Sequence, residues 1–279
     1  LAETVIETGA TKAELSAAKI VIRGMLGGAF LAYGTAMAFY GASQGMIPIL
    51  AAALFPLGFI IINILQVDLA TGYFAYVPLA WLDRRISFGD LARSTTFVYL
   101  GNLLGSLVVA GLLWAAITSF GTAPDATATN GQPGIAAIAK KTGEFKTLHY
   151  IQQGPVGEIT LFVKGILCNW FVTLGVILPM ATRSAFGKAI LTFVPIYMFF
   201  GMGWEHLVVN MFIMPSAMLY GSHITWTQWW VGNELPVTIG NFVGGFLLTG
   251  ATIGWIYYKR RPEQEEALAA ATVAPATLT

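Results

Sequence analysis

The sequence predicts an all-α membrane protein of six spanning helices, arranged as two inverted repeats of three, and three observations carry the prediction. The 279 residues are 56% hydrophobic and 10% charged, against about 25% charged in an average soluble domain. Six apolar stretches each approach or exceed the roughly 20 residues that cross a hydrocarbon core. Short motifs also recur at an offset of roughly 140 residues, the self-similarity of an internal repeat. Arg23-Gly24-Met25-Leu26 returns as Lys164-Gly165-Ile166-Leu167, Ile86-Ser87-Phe88 as Ile224-Thr225-Trp226, and Gly101-Asn102-Leu103-Leu104-Gly105 as Gly240-Asn241-Phe242-Val243-Gly244. Because each repeat holds three spans, the chain enters the second from the opposite face of the bilayer. Inverted repeats of this kind build transporters and channels.

The elements follow in order. Residues 1–19 are a polar, cytoplasmic lead-in, with an amphipathic helix expected over Thr11 to Lys19. The first repeat, 20–120, holds spans near Ile20 to Ala42, Pro48 to Trp81 and Thr95 to Phe120. The connection 121–157 is rich in Ala, Thr, Gly and Pro, and a loop this long is functional or disordered; it reads as an external cap or a packing element between subunits, with His149 at its surface. The second repeat, 158–258, holds spans near Ile159 to Met180, Ile190 to Leu219 and Leu235 to Tyr258. The tail, 259–279, is acidic and then Ala- and Thr-rich, and reads as mobile.

Charge placement gives the orientation. Of the fifteen Lys and Arg residues, Lys12, Lys19, Arg23, Arg84, Arg85, Arg93, Arg183, Lys188, Lys259, Arg260 and Arg261 fall on one side of the predicted spans. Lys140, Lys141 and Lys146 lie in the long loop on the other, and Lys164 alone sits at membrane depth. The positive-inside rule therefore places both termini in the cytoplasm of a multi-pass cell-membrane protein. A net charge of +1 shows no basic field for nucleic acid. The polar stretch Glu3 to Lys19 precedes the first apolar run, so no cleavable signal peptide is visible. The single cysteine, Cys168, excludes an intrachain disulfide framework and reads as a packed small side chain. No metal-ligand cluster or cofactor motif stands out.

The second and fifth spans are too long and too interrupted to be single helices. In one, Gln66-Val67-Asp68-Leu69-Ala70-Thr71-Gly72 follows an apolar run; in the other, Gly201-Met202-Gly203-Trp204-Glu205-His206 does the same. Asp68 aligns with Glu205, and Pro78 with Pro215, at one spacing. Breaks at membrane depth are tolerated only within protein or beside an aqueous cavity. The half-helix N-termini they create carry positive partial charge and favour an anion near the midplane. Asp68 and Glu205 are expected to cap the second half-helices.

An ionisable side chain inside a span is a functional candidate, and His206 directly follows such a break. Asn210, one turn on, is expected to fix one ring nitrogen. The order Glu-His, with no second histidine at helical spacing, excludes a zinc-protease element. Lys164 either snorkels to the headgroups or lines an anion vestibule with Asn169 further along the same span. The Gly101-Asn102 and Gly240-Asn241 pairs read as close helix contacts, Gly24, Gly27 and Gly28 as a packing cluster at a subunit interface, and Trp226, Trp229 and Trp230 as an interfacial belt.

Taken together, Asp68 to Gly72, Lys164 to Trp170 (Lys-Gly-Ile-Leu-Cys-Asn-Trp), Gly203 to Phe212 (Gly-Trp-Glu-His-Leu-Val-Val-Asn-Met-Phe) and Leu235 to Asn241 (Leu-Pro-Val-Thr-Ile-Gly-Asn) resemble the formate/nitrite transporter family. The resemblance spans all six predicted segments. It implies homopentamers of aquaporin-like protomers, each with its own pore for small monovalent anions, in place of an enzyme. It implies a central histidine at His206, a loop threonine at Thr71, a polar contact at Asn169 and a vestibule lysine at Lys164. Apolar constrictions would comprise Phe55, Phe59 and Leu69 on one side and Phe199 on the other. Ala70 departs from the phenylalanine usual at its position, which leaves one constriction's width open.

Nitrite or formate is the leading expected substrate; hydrosulfide, bicarbonate or a short carboxylate is the alternative within the same fold. A bare anion in a dry ring costs on the order of tens of kcal/mol in the Born limit, so the expected route is protonation to the neutral acid, with His206 or water as the proton source. A histidine that titrates near neutrality would make the pore pH-sensitive. A neutral-solute, aquaporin-like channel is the rival reading, but paired Asn-Pro-Ala boxes are absent from the sequence. A membrane-embedded enzyme would need a catalytic constellation that the sequence does not offer.

Overall fold

A computed structural model describes residues 1–128 and 131–257; the expected tail, Tyr258 and the cations at 259–261 lie outside the described residues. Five helical stretches are long and apolar enough to cross a membrane, Ala17–Ser43, Pro48–Leu65, Phe88–Thr118, Pro155–Ala181 and Trp226–Tyr257. The stretch expected as the fifth span is divided between two shorter apolar helices, Ala185–Gly201 and Leu207–Leu219.

In chain order the helices are α1 (Ala2–Ala13), α2 (Ala17–Ser43), α3 (Pro48–Ala52), α4 (Pro56–Leu65), α5 (Ala70–Leu82), α6 (Phe88–Thr118) and α7 (Ile135–Glu144). A π turn, Phe145–His149, leads into α8 (Tyr150–Gln152); α9 (Pro155–Ile177), α10 (Ala185–Gly201) and α11 (Leu207–Leu219) follow. The last span runs through α12 (Trp226–Trp229), a π turn (Trp230–Glu234), α13 (Leu235–Val243), a second π stretch (Gly244–Ala251) and α14 (Thr252–Tyr257).

Two expectations about segments change. The lead-in helix occupies Ala2–Ala13, because Ser16 takes extended backbone as the N-cap of α2 and ends any continuous helix there. It lies along α5, where a Cβ on Gly9 would meet the Tyr76 carbonyl oxygen at 2.2 Å. The 121–157 connection is largely ordered helix. Asp125 pins its start by accepting from the backbone N–H groups of Thr127 (2.8 Å) and Ala136 (2.7 Å), and α7 packs on α11.

Glycine sets the helix spacing. Gly24 of α2 faces Gly101 of α6, and Gly165 of α9 faces Gly240 of α13, so that a Cβ on either Gly24 or Gly165 would meet the partner's Cα within about 3.2 Å. Gly27 and Gly28 abut the carbonyl oxygens of Asp68 and Asn102. The cluster expected between subunits therefore packs inside the chain. Each half-helix crosses into the other half of the molecule: α5 packs on Gly244–Ala251 and α11 on α6.

Candidate functional site

The two breaks share their backbone chemistry. α4 ends at Gln66 in the left-handed region (φ 56°), and α10 ends just before Gly203, also left-handed (φ 66°). These residues stand at equivalent places, two before Asp68 and Glu205. Gln66, which lacks glycine's freedom there, has its carbonyl held by the Arg23 guanidinium.

Two asparagines, rather than the carboxylates, receive the half-helix ends. Asn102 Nδ2 donates to the carbonyls of Gly24 (2.8 Å) and Asp68 (2.9 Å), while its Oδ1 accepts from the Ala70 N–H (2.8 Å). Asn241 repeats the pattern with Gly165 (2.9 Å), Glu205 (2.9 Å) and the Leu207 N–H (3.0 Å). Each amide thus satisfies two backbone groups that a break would leave unpaired and ties them to a carbonyl of the neighbouring helix. The sequence reading took these asparagines only for helix contacts.

The expected capping role of Asp68 and Glu205 is corrected accordingly. Asp68 pairs with Lys12 and Arg23, and its side chain is fully buried. Glu205 pairs with Lys146 at 2.9 Å and accepts from Asn210 Nδ2 at 3.0 Å. A carboxylate in an apolar interior is tolerated when ion-paired and hydrogen-bonded, and here Lys12 and Lys146 come from segments outside the predicted spans, while Arg23 comes from the start of the first. Burial draws the Lys12 ammonium below the ordinary lysine range, with the Asp68 carboxylate opposing that shift.

His206 is the N-cap of α11, and its Nδ1 accepts from the N–H groups of Val208 (3.1 Å) and Val209 (3.3 Å). Asn210 does not touch the ring; it donates to Glu205 and to Asn233 Oδ1 (2.8 Å). With Nδ1 an acceptor, the neutral ring carries its proton on Nε2. That nitrogen stands 3.3 Å from the Thr71 hydroxyl, itself in the first turn of α5. The two half-helix starts therefore meet side chain to side chain, with both residues wholly buried. At the start of α11 the freed N–H groups are already engaged, so the groups presented there are the Nε2–H and the Thr71 hydroxyl.

Asn169 of α9 donates to the carbonyls of Thr71 (3.1 Å) and Asn241 (2.6 Å). Those two bonds fix its amide orientation, since a flip would set oxygen against both carbonyls. Its Oδ1 is buried without a hydrogen-bond partner among the described residues.

The apolar flanks divide differently from expectation. Phe199 stacks on the His206 ring with centroids 5.6 Å apart, and Phe55 meets Phe199 edge-on at 5.6 Å. Phe55 thus belongs with Phe199. Phe59 and Leu69 face the other way, into a cavity of about 320 Å³ also lined by Lys12, Tyr76, Arg183 and Lys188. Lys164 does not reach the Thr71–His206 pair; it donates to the Tyr150 hydroxyl at 2.7 Å. The lysine at this depth is Lys146, which sequence reasoning left in the loop. Trp229 is fully buried rather than interfacial.

A multi-pass helical membrane protein with two broken helices meeting at a buried histidine defines a membrane transport protein rather than an enzyme. The profile of the family described as formate/nitrite transporter matches residues 1–255. A "Probable formate transporter" of Methanothermobacter thermautotrophicus is 32% identical over 253 residues, covering 86% of this chain and 89% of its own. The "Formate channel FocA" of Escherichia coli (strain K12) is 31% identical over 251 residues, covering 83% and 82%. Among solved structures, an "FNT family ion channel" superposes with a TM-score of 0.73 at 24% identity, covering 93% of this chain and 98% of that one. A "Pentameric formate channel with formate bound" gives 0.67 at 25% identity, covering 87% and 98%. The chain belongs to the formate/nitrite transporter family.

Proposed function

We propose that this channel passes small monovalent anions, formate first and nitrite next, through a pore in each protomer at the Thr71–His206 pair. The carrying observation is that pair: a ring N–H of fixed tautomer and a hydroxyl, both buried, 3.3 Å apart, beside apolar rings. With the ring N–H donating to the Thr71 oxygen, the hydroxyl hydrogen is left to donate to an oxygen of a formate or nitrite ion. The names of the relatives support formate. The matched breaks, Asn102 with Asn241 and Gln66 with Gly203, support two inverted repeats of three spans. The pentameric relative supports a homopentamer in the cell membrane, and the cation bias supports cytoplasmic termini.

Passage of the apolar rings proceeds as the neutral acid, because an unpaired ion there is too costly. The geometry favours water over His206 as the proton source. Protonating Nδ1 would displace the two backbone N–H groups it accepts, so the ring acts as a neutral donor. The unpartnered Asn169 Oδ1 is an acceptor that the hydroxyl of a protonated acid would satisfy. In the cavity, Lys12, Arg183 and Lys188 raise the local anion concentration. Hydrosulfide, bicarbonate, a short carboxylate or a neutral solute is the competing cargo.

The test is uptake of formate, nitrite, bicarbonate and hydrosulfide into proteoliposomes, with His206→Ala alongside. Selective formate or nitrite flux that is altered in the variant is expected. Unchanged flux and pH profile in a correctly assembled His206→Ala protein, or passage of water or glycerol without anions, would overturn the reading.

A further inference from the structure

A second buried acid, Glu234, closes the π turn Trp230–Glu234 in the last span, and the transport mechanism above leaves it unused. Its side chain is wholly inaccessible. One oxygen accepts from the Trp229 indole N–H at 3.0 Å and the other lies 3.5 Å from the Tyr99 hydroxyl, which is itself 3.3 Å from Thr238 Oγ1. Both donors are neutral, and no ion pair to Glu234 occurs among the described residues. Next to it in sequence, Asn233 accepts from Asn210 and donates to the Lys146 carbonyl at 2.7 Å. Through Asn233, the backbone at Glu234 is therefore tied to Asn210, the partner of Glu205, and to the segment that carries Lys146.

The charged groups around this region make its balance plain. Lys146 is committed to Glu205. On the same π turn His149 is exposed and bonded to Gln153, and on α9 Lys164 is bonded to Tyr150; Glu158 of α9 is exposed. On α6, Asp90 is bonded to Ser87 and Arg93 to the carbonyls of Ala13 and Leu15. α11 and α13 carry no ionisable side chain. This region thus holds two carboxyls and one lysine, which is spent on Glu205. The corresponding cluster in the first half has the reverse balance, with one carboxylate, Asp68, and two cations.

We infer that Glu234 carries a proton when the pore conducts, and that losing this proton places uncompensated negative charge behind His206 and expels the anion from the Thr71–His206 pair. With Glu234 neutral, the cluster of Lys146, Glu205 and Glu234 has no net charge. With Glu234 ionised it is negative, in a low-dielectric setting where charges act over several ångströms. Glu234 then sets an alkaline limit to conduction without touching the anion. The inference rests on the anion-channel reading.

The test compares formate uptake by the intact protein and by Glu234→Gln across a pH series in proteoliposomes, with assembly checked by size-exclusion chromatography. Their ratio cancels the change in formate's own protonation. The expected result is a ratio near one in acid that falls at least severalfold as pH rises, together with a protonated-carboxyl infrared band at neutral pH that is absent from Glu234→Gln. Should Glu234→Gln fail to assemble, Glu234→Leu serves the same comparison. A flat ratio, or no such band in the unmodified protein, overturns the inference alone. No anion flux in the unmodified protein overturns the channel reading and this inference with it.

Discussion

Replacing Lys146 by methionine tests whether the long connection holds the second break or merely covers it. The substitution keeps the length and apolar stem of the side chain while removing the charge 2.9 Å from Glu205, whose own side chain is 1% exposed. Among the described residues Glu205 then keeps the Asn210 amide alone. Breaking a buried pair from one side costs about 3–5 kcal/mol, because the other charge stays behind unpaired. Lys146→Met should therefore lose about that much stability in a denaturing-detergent titration in mixed micelles. Adding Glu205→Gln removes the stranded charge and should recover most of the loss. Lys12→Met supplies the comparison: Asp68 retains Arg23, so the cost should be smaller. A loss below about 1 kcal/mol, the range of exposed pairs, would refute the argument. So would a double variant no more stable than Lys146→Met.

The remaining expectations are more local. Thr71→Val keeps the shape and removes the hydroxyl; a hydrogen bond to a charged group is worth about 1.5–3 kcal/mol, so formate uptake should fall about ten- to hundredfold with assembly intact, and unchanged uptake would remove Thr71 from the pathway. Asn102→Ala and Asn241→Ala each strand one carbonyl and one N–H at a break; at about 1–3 kcal/mol for an unsatisfied buried group, both should be strongly and comparably destabilised in the same titration, and a large difference would break the equivalence of the halves. Gly105→Ala would bring its Cβ to 2.0 Å from the Met25 carbonyl oxygen and should cost about 1–3 kcal/mol by forcing α2 and α6 apart, read as lost folded yield.

Much of this architecture was legible in the sequence because backbone physics writes it there. Gly24 with Gly101 and Gly165 with Gly240 mark the close crossings, and the breaks after Gln66 and Met202 needed only an interrupted apolar run to be seen. His206 was legible as an ionisable side chain inside a span beside a helix break, and Thr71 through the resemblance. What escaped were partners distant along the chain. Lys146 lies 59 residues from Glu205 in the numbering, in a segment whose composition suggested a loop, while Lys164 stood out as the cation deepest inside a predicted span. Glu234 escaped the rule that selected His206, an ionisable residue inside a span, because it stands one residue before the predicted sixth span, Leu235 to Tyr258.

The two halves agree in backbone and disagree in charge, and that difference separates architecture from function. Asn102 and Asn241 perform the same three-bond task because both breaks expose the same groups, whatever passes between them. The charges answer to the permeating ion instead. Lys12 and Arg23 pair with Asp68, and Lys12, Arg183 and Lys188 line the cavity, cations that on the proposed reading gather anions at the mouth. Behind His206, Lys146 is matched by Glu205, so no positive charge is left over to trap an anion once it arrives. A pore must bind its ion firmly enough to admit it and loosely enough to release it. A cationic mouth leading to a neutral hydrogen-bonding centre meets both conditions, and it makes a test of its own: adding a fixed cation at the centre by Glu205→Gln, with Lys146 retained, should tighten apparent formate affinity while slowing maximal flux. Tighter binding with faster flux would show that release is not governed by this balance.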